Sequence, residues 1–182
     1  MTRMSISTAT PLTRRDLQQY LERHAIRARL IAEIGHTPTV PAAAQALGVA
    51  ADQIIKTLLF VLDSAGRSEN APPAVVVIGN GEHRIDKKSL GRHFGLNPKR
   101  VKLASAETVI ELLGYPAGGV PPFGHRTPLP VLLDRRVVEA GATYGGRLFG
   151  GGGDDVSMVE LHLDDLLRVH QPAILPLSEP TE

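Results

Sequence analysis

The sequence predicts a single α+β (mixed α/β) domain with a largely antiparallel, barrel-like sheet flanked by helices. The chain has 182 residues, of which 42% are hydrophobic and 21% charged, so it is long enough for one sizeable core and too apolar for disorder. Apolar runs of strand length mix irregularly with segments of helical periodicity, and no regular strand–helix–strand repeat joins them. No run approaches the ~20 apolar residues of a membrane-spanning helix.

The first half of the chain is predicted to begin with a helix and to continue into strands. Thr13 and Asp16 are spaced like a capping box, with Asp in place of the usual Glu or Gln. Gly48 ends a later run of small residues that favours a helix. In chain order the predicted elements are a helix at 13–25, a strand at 28–34, a helix at 42–47, and strands at 56–62 and 74–78, the last two joined by a polar loop.

The second half contains helices delimited by capping residues and glycines. Asp86 and Ser105 are placed to begin helices that Gly95 and Gly114 end. The predicted elements are a helix at 87–94, a strand at 101–103, a helix at 106–113, strands at 131–133 and 156–161, and a helix at 163–169. Gly/Pro-rich stretches at 114–130 and 145–153 are predicted to be loops.

These elements predict one domain with three parts. Residues 1–36 are expected to form an N-terminal helix and lead-in, and residues 37–170 the core. The remainder, 171–182, is rich in proline and acidic residues, which predicts a flexible tail.

The charge total is near neutral, but the charges are unevenly distributed. Twenty Lys and Arg residues face nineteen Asp and Glu residues, which argues against a strong, self-sufficient nucleic-acid binder. Seven basic residues and one acidic residue between Arg84 and Lys102 give that segment a charge of +6, whereas residues 150–182 carry −6. A polyanionic partner is therefore expected at the first segment, with the acidic end facing elsewhere.

Absent residue types narrow the chemistry further. The chain has no cysteine, which excludes disulfides, thiolate metal sites and a cysteine nucleophile. Its seven histidines are not spaced as metal ligands, so we expect no metal and no other cofactor. The N-terminal sequence lacks the apolar region of a secretory signal, and we expect a cytoplasmic protein without membrane contact.

Lys56 is the first candidate functional residue, because it opens an otherwise apolar strand directly after Ile54 and Ile55. Two interpretations stay open from the residues alone. A lysine at a strand entrance commonly extends its ammonium group to solvent. Alternatively, the ammonium lies at a pocket mouth, where it would position a phosphate or polarise an ester carbonyl.

Glycine-rich segments and a basic segment are the other candidates. The loop 114–125, GYPAGGVPPFGH, has the glycines and prolines of a preorganised oxyanion hole, although it would also serve as a plain connection. Gly150 to Gly153 lack the remaining residues of a phosphate loop and fit a flexible turn at least as well. Arg84, Lys87, Lys88 and Arg92 either contact an RNA backbone or form a solvated helix face.

Seven motifs in this order resemble one known family over residues 37–169. They are 46–49 (ALGV), 53–58 (QIIKTL), 84–88 (RIDKK), 114–124 (GYPAGGVPPFG), 129–131 (LPV), 160–161 (EL) and 165–167 (DLL). The combination is similar to the YbaK/EbsC-type aminoacyl-tRNA deacylases, the free-standing relatives of the editing domain of bacterial prolyl-tRNA synthetase.

The resemblance implies a YbaK-like domain that hydrolyses the ester of a mischarged tRNA, most often tRNA(Pro) carrying a small wrong amino acid. Lys56 matches the functionally critical lysine, and Gly118 matches the glycine whose N–H binds the substrate carbonyl, so these two are the expected catalytic residues. The expected substrate-binding residues are Thr57, Gly119, Val120, Pro122, Gly152, Gly153 and Met158. The expected RNA contacts are Arg84, Lys87, Lys88 and Arg92.

Water, or a substrate group, would attack the ester, and no protein nucleophile is required. Partners implied by the resemblance are an aminoacyl-tRNA and an aminoacyl-tRNA synthetase. Alanine, cysteine, serine, threonine and small non-protein amino acids all remain candidates for the amino acid removed. Two alternatives stay open: a non-catalytic tRNA- or synthetase-binding module of the same fold, and a small-nucleotide-binding protein.

Overall fold

The computed structural model describes residues 10–63 and 71–180, and within them it shows six α-helices and eight strands. The predicted lead-in before Thr10, most of the predicted loop between the strands at 56–62 and 74–78, and the last two residues of the tail lie outside the described residues. The helices are α1 (Arg14–Arg23), α2 (Val40–Leu47), α3 (Lys87–Phe94), α4 (Ala106–Leu113), α5 (Arg135–Thr143) and α6 (Leu163–His170). The strands are β1 (Arg29–Ile31), β2 (Ile55–Leu62), β3 (Ala74–Asn80), β4 (Val101–Leu103), β5 (Val131–Asp134), β6 (Arg147–Gly151), β7 (Met158–His162) and β8 (Ala173–Leu175).

The strands form two sheets. One has five strands in the order β4-β2-β3-β5-β8, with β2 antiparallel to β3 and β4 and with β5 parallel to β3 and β8. The other is an antiparallel sheet of three strands in the order β1-β7-β6. A bridge between Ile54 and Phe149 links the sheets. The mixed α/β fold class is thus confirmed, although neither sheet closes into the expected barrel and the larger one is partly parallel.

The central strand β3 explains how the two faces of the larger sheet are used. All seven of its residues are buried. Val76 and Ile78 join the main core with residues of α1, α4, α5 and the smaller sheet, whereas Val75 and Val77 join a second core beneath α3. A strand that is covered on both faces has apolar residues at successive positions, and the apolar run at 74–78 therefore predicts this strand.

Three elements were not predicted from the sequence. Helix α5 buries only a narrow stripe, namely Val137, Ala140 and Gly141, so its apolar pattern is weak. Strand β6 contains Gly150 and Gly151, and glycines inside a strand are more typical of a turn. Strand β8 lies within the segment predicted to be a flexible tail.

The C-terminal segment is packed against the domain, contrary to the prediction of a flexible tail. Strand β8 pairs with β5, and Leu177 is 1% exposed. The buried carboxylate of Asp134 accepts hydrogen bonds from the Leu177 N–H, at 3.0 Å, and from the Ser178 hydroxyl. The Asp86 N–H donates to the Leu177 carbonyl at 2.7 Å, so the tail also contacts the start of α3. Among the described residues no helix is both long and apolar enough to cross a membrane.

Candidate functional site

A cleft of about 260 Å³ lies where the two sheets meet. It brings together the start of β2, the loop before β5, the end of β6, the start of β7 and the segment that enters α2. Five of the residues predicted from the sequence line it: Lys56, Thr57, Gly118, Val120 and Met158. The remaining lining residues are Thr37, Pro38, Thr39, Val40, Ala43, Ile54, Ile55, Leu58 and Gly151.

Lys56 is half-buried at the second position of β2, opposite Gly79 of β3. Within residues 10–63 and 71–180, no carboxylate and no hydrogen-bond acceptor pairs with its ammonium group. Burial lowers the pKa of Lys56 below its ordinary value, and the positive charge of Arg84 lowers it further. An unpaired cation held in this way favours a negatively charged or strongly polarised ligand group.

Gly118 lines the same cleft. Its φ of +88° lies in the left-handed region that favours glycine, and a Cβ built there would meet no atom within 4 Å. In the described part of the chain its N–H has no hydrogen-bond partner, whereas the next N–H, that of Gly119, donates to the Pro116 carbonyl at 3.0 Å. The Gly118 amide is therefore a free donor, although the turn that contains it is closed by the hydrogen bond from Gly119 to Pro116.

Two imidazoles hold the other end of this loop. The Nε2 atoms of His125 and His170 lie 2.7 and 2.5 Å from the carbonyl oxygens of Pro121 and Pro122, and each must donate because a carbonyl only accepts. The His170 ring stacks on Phe123 at a centroid distance of 5.4 Å. Burial lowers the pKa of His125 to about 4 and also lowers the pKa of His170, so both rings are neutral at pH 7.

The glycines of β6 allow that strand to lie directly against the loop. A Cβ on Gly151 would be 2.5 Å from the Val120 carbonyl oxygen, which no side chain tolerates. The Gly153 N–H donates to the Gly119 carbonyl at 2.9 Å and ties the following turn to the same loop. The glycines therefore serve close packing between β6 and the loop. This role differs from both interpretations of the sequence, the phosphate loop and the flexible turn.

Four of the expected substrate-binding residues do not line the cleft. Gly119 and Pro122 lie on the loop behind it, where Gly119 contacts the turn after β6 and Pro122 contacts Gly150. Gly152 donates its N–H to the Ser157 carbonyl at 3.0 Å, and Gly153 packs on the Tyr115 ring. The structure places these four residues around the loop, in positions that support it.

The expected RNA-contacting residues form a surface separate from the cleft lining. Arg84, Lys87, Lys88 and Arg92 are exposed at or near α3, and Asp86 begins this helix by accepting the Lys88 N–H at 3.0 Å. Arg84 is the member of this surface whose charge acts on the cleft, because it lowers the pKa of Lys56.

The segment 37–43 was missed as part of the site. Thr39 begins α2 by accepting the Ala42 N–H at 3.3 Å, and residues on both sides of it line the cleft. The only signal in the sequence was the break TPTVP, which indicates a turn before a helix and says nothing of a site. No group of three or more His, Asp or Glu side chains suited to a metal ion occurs in residues 10–63 and 71–180.

A two-sheet α/β domain with a cation and a free amide in one narrow cleft has the features of a site that binds an acyl or phosphoryl group. The family whose model matches the chain is described as the aminoacyl-tRNA editing domain, and the match spans residues 35–169. The chain belongs to this family, and the resemblance noted in the sequence is thereby confirmed.

Similar structures and relatives agree with that assignment. A solved structure provisionally described as a trans-editing enzyme for prolyl-tRNA synthetase is 28% identical, with a TM-score of 0.79, and the match covers 94% of this chain and all of that one. A proline–tRNA ligase of Burkholderia multivorans is 27% identical over 98 residues, and the uncharacterized protein YwhH of Bacillus subtilis is 32% identical over 96 residues. These two matches cover 54% and 53% of this chain, but only 16% of the ligase and 55% of YwhH.

Proposed function

We propose that this protein is a trans-editing deacylase that hydrolyses the ester of a mischarged tRNA in the cytoplasm, with tRNA(Pro) carrying a small wrong amino acid as substrate. The observation that carries the proposal is the presence of Lys56 and the free Gly118 amide in one cleft. Membership of the aminoacyl-tRNA editing family supports the reaction class. Likeness to a proline–tRNA ligase and to the trans-editing structure supports the choice of tRNA.

The proposed reaction is attack of water on the ester carbonyl carbon. The carbonyl oxygen becomes an oxyanion, which accepts the Gly118 N–H; donors of this kind contribute ~10²–10³ in rate in other acyl-transfer enzymes. The bond from the carbonyl carbon to the ribose oxygen then breaks. One proton of the attacking water goes to the ribose oxygen, the other goes to solvent, and the amino acid leaves as a carboxylate. Lys56 binds the negatively charged end of the nucleotide and holds the ester beside Gly118.

Substrate size follows from the volume of the cleft. At about 260 Å³ it is smaller than the ~300–1,000 Å³ of ordinary ligand pockets, and it must hold part of the terminal nucleotide as well, which favours a small aminoacyl group. Met158, Val40 and Ala43 give one side of the cleft an apolar surface. Discrimination by volume is worth only ~1–3 kcal/mol per methylene. Two amino acids that differ by one methylene would therefore be removed at rates that differ by no more than ~10–200-fold.

A direct test uses a panel of tRNAs, tRNA(Pro) included, each charged with alanine, cysteine, serine, threonine or proline. Loss of the ester is followed over time with the full-length protein. We expect faster hydrolysis of at least one small non-cognate aminoacyl-tRNA(Pro) than of prolyl-tRNA(Pro). If no ester in the panel is lost faster than without protein while tRNA still binds, the deacylase proposal is wrong and a binding module of the same fold replaces it.

Lys56→Ala tests the site itself. Removing the only cation that lines the cleft in the described structure should lower kcat/KM by ~10²-fold or more. Arg135→Ala is the control, because Arg135 is an exposed cation at the start of α5, outside both the cleft lining and the basic segment 84–102, and should keep wild-type activity. Equal activity of the Lys56 variant and wild type would contradict the assigned role of Lys56.

A further inference from the structure

A groove of about 530 Å³ lies at the opposite end of the three-stranded sheet from the cleft. Strand β6 runs from Arg147 in the groove to Gly151 in the cleft, and β7 runs from Met158 in the cleft to His162 in the groove. The groove is lined by Arg27, Arg29, Arg147 and a single carboxylate, that of Glu160, over the apolar Ala28 and Leu161.

The arginines are arranged in two triads, each around one carboxylate. Glu160 is bound by Arg29 at 2.7 Å and by Arg147 at 3.2 Å. Asp165 is bound by Arg27 at 3.2 Å and by Arg168 at 3.1 Å. Each triad pairs two cations with one anion and therefore keeps one positive charge.

In both triads the arginines are exposed to solvent and the carboxylate lies beneath them. The four arginine side chains are 50–67% exposed, whereas Glu160 is 24% and Asp165 only 5% exposed. Hydrogen bonds from the arginines lower the pKa of Glu160. Burial raises the pKa of Asp165, but the hydrogen bonds and charges of its arginines outweigh burial and lower it overall, so both carboxyls stay ionised at pH 7. The carboxylates thus fix the guanidinium groups in place while most of their donors remain free for an outside ligand.

We propose that this arginine groove binds the phosphodiester backbone of the tRNA whose 3′ end enters the cleft, an inference that rests on the proposed function. Guanidinium groups match phosphate geometry with paired hydrogen bonds, and preordered ones lose little entropy when they bind. The five residues from Arg147 to Gly151 span ~13 Å of extended strand, so a few nucleotides bridge the cleft and the groove. The groove is a basic surface additional to that of α3.

Binding of uncharged tRNA tests the groove without requiring the ester reaction. Affinity is measured as a function of salt concentration for wild type, Arg29→Gln, Arg147→Gln and the double variant. Each lost phosphate contact should reduce the slope of log K against log salt by about 1 and weaken binding several-fold at low salt. Arg29→Lys keeps the positive charge but loses the paired guanidinium donors. Its affinity for tRNA should fall between those of wild type and Arg29→Gln.

Glu160→Gln is the matched control, because it disrupts the same triad while adding one positive charge to the groove. Because no cation is lost and Gln still accepts a hydrogen bond, it should keep at least the wild-type salt slope and lose less affinity than the arginine variants. All variants should hydrolyse a minimal aminoacyl-adenosine substrate at the wild-type rate. The inference is wrong if the arginine variants keep the wild-type affinity and salt slope, or if Glu160→Gln weakens binding as much as they do. Competition by poly-glutamate but not by an RNA duplex would assign the groove to an acidic protein segment and also overturn it.

A wild-type protein that binds tRNA through these arginines yet hydrolyses no ester would contradict the proposed function and leave the groove assignment standing. Conversely, deacylation by wild type with an unchanged affinity of the arginine variants would contradict the groove assignment alone. Thermal unfolding of each variant confirms that the compared proteins are folded.

Discussion

Gly118 combines an unusual backbone conformation with an exposed donor. Its φ of +88° costs an L-residue roughly 1–2 kcal/mol, yet the space around its Cα is open, so substitution strains the loop without a collision. The strain would fall on the amide that the proposed mechanism uses. A side chain at this position therefore affects function more than stability.

Gly118→Ala should lower the free energy of unfolding by about 1 kcal/mol and reduce deacylation by ~10-fold or more, because the N–H shifts relative to the ester. Gly95→Ala is the matched control, since Gly95 has a φ of +65° and the same open surroundings, but ends α3 away from the cleft. The control should show a similar loss of stability by urea unfolding and unchanged kcat/KM. Equal activity of the two variants would remove Gly118 from the mechanism.

Lys56 was recognisable in the sequence as a lysine in an apolar strand, and the loop 114–125 by its glycines and prolines, whereas Gly118 was singled out within that loop only by the resemblance to the family. Their convergence on one cleft was not visible, since it depends on where β2 ends and the loop begins in space. The supporting histidines were missed for the same reason. His170 lies 48 residues beyond the Pro122 carbonyl that it binds, and no local pattern connects them.

The helices with clear caps and the buried strands were predicted nearly to the residue, because cap geometry and apolar runs are local signals. Helix α3, for example, begins after Asp86 and ends before Gly95 as expected. Strand β8 was missed because it is a three-residue edge strand with two exposed residues, and its stability comes from a partner strand and from Asp134. Tertiary contacts of this kind stabilise a strand in a segment whose proline and acidic content predicts flexibility.

Leu177→Ala tests how firmly the C-terminal segment is held. Removing a side chain that is 1% exposed should cost about 2–5 kcal/mol of unfolding free energy, measured by urea denaturation. Ile174→Ala, on the same segment but 42% exposed, should change stability by less than ~0.5 kcal/mol. A Leu177 variant as stable as the Ile174 variant would show that the segment does not contribute to the folded domain.

Charge counted along the chain does not describe the charge on the whole molecule. Residues 150–182 sum to −6, yet two of their carboxylates, Glu160 and Asp165, are each enclosed by a pair of arginines. Arg29 precedes its partner Glu160 by 131 residues, so the pairing was invisible in the sequence. The expectation that the acidic end faces away from any RNA is therefore replaced by a surface of mixed sign.

Stability of the whole domain should decrease in acid in two separate pH ranges. The folded-state pKa of His125 is about 4, below the ordinary 6.5, so its contribution is present above about pH 6.5 and is lost as the pH falls towards 4. The pKa values of Asp16, Asp86, Glu160 and Asp165 are also lowered, but from ordinary values near 4, so their contributions are lost at lower pH.

His125→Gln should separate these two ranges, because the amide keeps a donor and does not titrate. Urea unfolding of wild type should give a smaller free energy at pH 5 than at pH 7.5, and the variant should show a smaller difference. If His125→Gln keeps the full wild-type difference, the buried imidazole does not carry the pH dependence.

The contacts of Asp134 have a consequence for the order in which the domain assembles. Its carboxylate is fully buried and accepts hydrogen bonds from Leu177 and Ser178, which lie 43 and 44 residues further along the chain. Until that later segment docks, β5 is an open sheet edge and the Asp134 carboxyl lacks these donors. Because the same segment bonds to Arg84 and Asp86, the basic surface at α3 reaches its final shape only after the segment has docked.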